Sequence, residues 1–170
     1  MTRFEYETVE AFRNAGGNLM FLSANNFFWR VVRRGNVMRR SRQWRARGRP
    51  ESALIGVQYF ASDRGSHKRP WVVRDASSAG GLLASVGLQR GNRFGEGGVE
   101  VDAITRHSPP KIKVLAELGW RRGRRAQMTY YETWNGAKVF AAGAFSLVLN
   151  LHRHDGRELL DELWERLARP

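Results

Sequence analysis

The chain has 170 residues, no cysteine, 42% hydrophobic residues and a formal net charge of +13. That length and apolar content suit one packed domain, read here as residues 1–170, rather than a disordered polymer. The missing cysteine excludes thiol nucleophiles, disulfides and cysteine-ligated zinc. The opening residues MTRFEYETVE are charged and do not read as a signal peptide. The longest apolar-rich stretch, Val139 to Leu151, is too short for a bilayer and is interrupted by Gly143, Ser146 and Asn150. The expectation is a cytoplasmic protein with no membrane partner.

The first predicted element is a helix. Thr2 and Glu5 fit a capping box, Val9 and Phe12 give partial apolar spacing, and Gly16-Gly17 stop it. NLMFLS follows as a short buried strand, so helix, Gly-Gly and strand make one unit of an α/β sheet. SANNFF is a polar turn running into aromatics, and WRVVRRGNVMRR reads as a hairpin turning at Gly35-Asn36. Pro50 to Ala61 starts as a short helix. Ser62 to Gly98, rich in Gly and Ser, reads as loops around a strand at Trp71-Val72-Val73. GVEVDAI and KIKVLAEL alternate as strands. MTYYETW, Asn135-Gly136 and AKVFAAG make the strongest local signal, an Asn-Gly hairpin. The chain closes on an amphipathic helix, with Asp155 and Glu158 at its cap and Leu159, Leu160, Leu163, Trp164 and Leu167 as its apolar stripe.

Arg outnumbers Lys 25 to 4, and nine Arg lie between Arg30 and Arg49 with no acid among them. Arg121, Arg122, Arg124 and Arg125 form a second cluster. Three readings stand: phosphate binding, a general preference for Arg as the surface base, and faces that meet acidic segments elsewhere. No RNP motif, zinc finger or clear helix-turn-helix accompanies the charge, so only weak, non-specific nucleic-acid binding is expected.

Glu100 and Asp102 sit two apart on a predicted strand and share a face; with His107 beyond them they suit metal binding or proton transfer, or else the solvated face of an edge strand. Ser23, Asn25 and Asn26 follow the first strand, at the strand end where α/β sheets gather their sites, and serve as ligand contacts or as turn caps. Tyr130 and Glu132 share a face that excludes Tyr131. His152 and His154 have strand-like spacing but no third ligand. Ser108, before Pro109-Pro110, lacks the setting of a nucleophile elbow. Phe27, Phe28 and Trp29 read as core.

The stretches GGNLMFLSANNFFWRVV, GRPESALIGVQY, GVEVDAI, SPP, MTYYETWNGAKVFAAGAF and LLDELWERLARP resemble the family of the N,N-dimethylformamidase large (beta) subunit. That resemblance implies a large protein with a class I glutamine-amidotransferase-like α/β core, within which this chain begins partway. It also implies amide C–N hydrolysis at a mononuclear iron held by two tyrosines and a glutamate, through Lewis-acid polarisation and an acidified water. Glu100 matches the glutamate. One tyrosine belongs in or just after the LMFLSANNFFW strand, where only Phe21, Phe27 and Phe28 stand, and the other lies upstream of Met1.

The expectation is therefore an α/β domain, a partial glutamine-amidotransferase-like fold with an N-terminal helix–strand unit, a β-rich middle and a C-terminal helix. Its function would be that of a partial or non-catalytic piece of an amide hydrolase, without iron of its own. It would associate with a missing N-terminal segment or with itself. The alternatives are a basic nucleic-acid-binding module and a structural or oligomerisation domain.

Overall fold

A computed structural model describes residues 1–66, 68–145, 147 and 154–168, with 154 and 155 as backbone only. Helix α1 (Arg3–Asn14) begins at the predicted cap: the Thr2 side chain accepts from the Glu5 N–H while the Glu5 carboxylate accepts from the Thr2 N–H. The chain turns through Gly16, at φ 95°, into β1 (Leu19–Phe21). Strands β2 (Trp29–Arg34) and β3 (Val37–Gln43) form the predicted hairpin, with Gly35 left-handed at its turn.

Helix α2 (Glu51–Ile55) is one short piece behind Pro50. The chain then leaves the helical path for β4 (Gln58–Ser62), because Gly56 takes φ 91°. The Gly/Ser-rich middle is more ordered than its composition suggests. It contains β5 (Arg69–Val73), a helical turn α3 (Ser78–Gly81) and β6 (Arg93–Gly97). Strands β7 (Glu100–Ala103), β8 (Lys113–Gly119), β9 (Arg125–Glu132) and β10 (Lys138–Ala141) follow, then α4 (His154–Ala168).

The main sheet has six strands in the order β1-β10-β9-β8-β5-β6. Only β1 and β10 run parallel; every other pair is antiparallel. The protein is thus mixed α/β and β-rich, with one helix–strand unit in parallel pairing among the described residues. Two further pairs, β2-β3 and β4-β7, stand outside this sheet.

The β9–β10 connection differs from a two-residue Asn-Gly turn. Thr133 donates its N–H to Ala137, Gly136 donates to Thr133, and Gly136 alone is left-handed, at φ 87°. This is a three-residue loop closed by a glycine bulge. It leaves Trp134 at the tip, 98% exposed.

One core cluster lies on the main sheet, with Trp71, Leu83, Leu115, Met128, Phe140 and, from α4, Leu159 and Leu163. The α4 stripe is narrower than expected, since Trp164 is exposed. A second cluster gathers Tyr6, Phe27, Trp44, Leu54, Ile55 and Val57 where α1 and α2 meet. Burying each large side chain contributes roughly 1.5–3 kcal/mol.

Candidate functional site

Two sequence-distant motifs meet because of one crossing. After β10 the chain continues through Ala142, whose N–H donates to Phe21, so it still follows β1. Gly143 then passes tightly over Gln127 of β9, and Ala144 bridges to Val101 of β7. Asp102 donates its N–H to Gly143, and Phe145 donates to Glu100. Strand β7 is therefore carried to the carboxyl end of β1, where the SANN turn lies.

There Asn25 joins both carboxylates. Its backbone N–H donates to the two Asp102 oxygens at 3.0 and 3.1 Å, and its Nδ2 donates to Glu100 Oε1 at 3.1 Å. Asn25 is left-handed, at φ 59°, a conformation that Asn tolerates better than most residues. Its Oδ1 is buried with no partner among the described residues. Glu100 and Asp102 share a face as the alternation required, but that face is not the solvated side of an edge strand. Asp102 is fully buried and Glu100 half-buried.

Burial pushes the Asp102 carboxyl up to about 7. The Asn25 N–H and the Arg45 charge pull it down, and the charges of Glu51 and Glu100 push it up. A carboxyl so placed is divided between its acid and carboxylate forms near neutral pH and can hold or release a proton there.

Reading by motif missed Glu51, Arg45 and Tyr59. Glu51 is fully buried, and Arg45 donates to both of its oxygens and to the Tyr59 carbonyl at 3.0 Å. Tyr59 stands opposite Asp102 in the β4–β7 register, its ring 4.9 Å from that of Phe28. A cleft of about 360 Å³ opens beside Ala103, between Phe28, Tyr59 and Thr105. The signal for the ion pair is weak: an acid behind Pro50, six residues after one Arg among nine.

The other candidates fall elsewhere. Ser23 donates to the Ala24 carbonyl and Asn26 to the Ser23 carbonyl, so both serve the turn. His107 is exposed in the loop after β7, its ring nitrogen accepting from Arg106. Ser108 donates to Gly56 and accepts from Thr105, a loop brace. Tyr130 donates to Glu132 at 2.7 Å, as strand spacing required, and burial first, then Glu132, holds its phenol above the usual range. Tyr131 turns the other way, donating to Leu54 and accepting from Arg13. Phe27 is core, as expected, but Phe28 and Trp29 are half-buried and belong to neither core cluster, with Phe28 lining the cleft instead. His152 lies outside the described residues, as does the side chain of His154.

The residues around Glu100 do not fit the iron site that two phenolates and a carboxylate would make. Where the first motif would present a phenolate, Phe21 and Phe27 pack ring to ring at 5.5 Å, and a phenyl ring has no lone pair to donate. Glu100 is bonded to an amide N–H. No group of three His, Asp or Glu side chains converges among the described residues.

The family model described as N,N-dimethylformamidase beta subunit-like, C-terminal, matches residues 1–158. No curated protein matches the chain.

Proposed function

We propose that this chain, which belongs to the N,N-dimethylformamidase beta subunit-like, C-terminal family, supplies one part of an amide C–N hydrolase site and is not a complete catalyst by itself. The observation that carries this reading is the bridge from Asn25 to Glu100 and Asp102. Glu100 is the carboxylate offered to the site. Asp102 is a positioning residue: it clamps the Asn25 backbone, and the clamped amide fixes Glu100. Of the two phenol donors that this kind of chemistry calls for, the position within the first motif holds phenylalanine here, and this chain offers no phenol in its place. The parallel β1–β10 pair is the piece of this domain that a glutamine-amidotransferase-like core would continue, since β1 is an edge strand of the main sheet.

The test is dimethylamine release from N,N-dimethylformamide by the purified chain, with and without added ferric salt, followed by elemental analysis after desalting. The expected result is no release above background and no retained iron. One iron per chain with a tyrosinate-to-iron absorption band, both lost in Glu100→Ala, would overturn the partial-site reading and make the chain a complete hydrolase.

A further inference from the structure

We propose that the β2–β3 hairpin is an arm that enters the major groove of B-form DNA and grips phosphates on both walls, without reading base sequence. Of the nine Arg between Arg30 and Arg49, two are absorbed by the fold: Arg45 pairs with Glu51, and Arg49 with Glu7 and Glu10. Arg33, Arg34, Arg39, Arg40 and Arg42 are exposed on the ribbon and meet no carboxylate among the described residues. Every residue from Val32 to Arg40 is exposed, so the hairpin stands out from the body.

The strand register distributes this charge. Val32 opposes Arg39 and Arg34 opposes Val37, while Val31 opposes Arg40 and Arg33 opposes Met38. Directly opposed residues share a face, and faces alternate along each strand. One face therefore presents Arg34 and Arg39, the other Arg33 and Arg40. An acidic protein surface would engage one face and leave the other in water. A groove with a phosphate wall on each side engages both.

The dimensions agree. Two strands lie about 4.8 Å apart, and the B-DNA major groove, about 12 Å wide, admits a two-stranded ribbon. The major groove of A-form RNA is too deep and narrow. The ribbon carries arginine and no lysine, and the guanidinium fork matches phosphate oxygens in pairs. At its base, Gln43 lines the same cleft as Arg124, so the second basic cluster continues the surface. Between the arginines only Asn36 at the turn and Ser41 carry hydrogen-bonding side chains, while Val37 and Met38 carry none, so the ribbon's contacts fall mainly on phosphate.

The experiment is fluorescence anisotropy of the whole chain with a labelled duplex of about 20 base pairs, at about 50 and 200 mM salt. Four engaged arginines give a log–log salt slope near −3.6, hence about 100-fold weaker binding at the higher salt. In R33Q/R34Q/R39Q/R40Q most binding should vanish with the melting temperature kept, and polyglutamate should not displace the duplex. The proposal fails if the wild type does not bind at low salt, or if the fourfold variant binds as well. It also fails if a single strand binds more tightly than the duplex, or if polyglutamate competes on equal terms, which would assign the ribbon to an acidic protein.

Discussion

Asp102 has its proton affinity raised by burial rather than lowered by a paired cation, and this gives the fold a definite response to pH. Its folded pKa, about 7, lies above the value near 3.9 expected of an unfolded aspartate. Between those values the native protein holds a proton that the unfolded chain releases. Stability from this group is therefore complete below about pH 4 and is lost as pH rises through 7. Asp102→Asn keeps an oxygen for the Asn25 N–H and cannot ionise. Its stability relative to wild type should rise between pH 5 and pH 8 by on the order of a few kcal/mol, measured by urea unfolding. A difference that stays flat with pH would refute the assignment. The neighbouring ion pair is a different case, because the buried Glu51 side chain is held by Arg45. Glu51→Ala removes both carboxylate oxygens from Arg45, leaving it the Tyr59 carbonyl, and should cost about 3 kcal/mol; a loss well under 1 kcal/mol would mean that solvent reaches the pair.

At the level of elements, what could be read from the sequence is what local chemistry decides. The Thr2–Glu5 cap and the Gly35-Asn36 turn concern residues a few positions apart and appear as expected; in GVEVD only the Glu100–Asp102 pairing on one face holds, since Val99 lies outside the strand with φ 65°. Strands β4 and β6 were hidden for a different reason. QYFAS follows directly on a helix, and RFGEG contains two glycines; both strands exist because β7 and β5 offer hydrogen-bonding edges. The composition of a segment says little about a partner roughly twenty to forty-five residues away. For the same reason the sequence offers Glu100 and Asp102 as a pair on one face but not the burial of Asp102. That burial depends on the chain crossing at Gly143, where φ is 70° and an added Cβ would meet the Gln127 carbonyl. Gly143→Ala should therefore cost roughly 3 kcal/mol or more, through both strain and the clash. It should also loosen the Asn25 bridge, so the Asp102 pH response should shrink with it. A melting temperature equal to wild type would show that the crossing is not needed to place β7.

At the scale of the whole molecule, the sheet ends on one side at β1, and the helix leading into it carries uncovered aromatics. Phe4 and Phe12 are 79% and 54% exposed, and the Phe12 ring lies against Gly17, beside the start of β1. A strand edge next to an aromatic surface is a template for pairing with another strand. In the family reading, another part of the protein covers it; when the chain is purified alone, a second copy is the nearest substitute. The net charge of +13 opposes that association at low ionic strength, because like charges repel over about 10 Å at 0.1 M salt and over longer distances in dilute buffer. Added salt removes the repulsion and strengthens burial of the apolar face. Sedimentation velocity should therefore show association that grows with salt, the reverse of the salt response expected for the ribbon on DNA. Phe4→Ser with Phe12→Ser should return the chain to monomer without lowering its melting temperature, since neither side chain belongs to a core cluster. A single monomeric boundary at every salt concentration, with one cooperative melt, would mean that the β1 edge needs no cover, and would remove the reason for placing further strands of the family protein there.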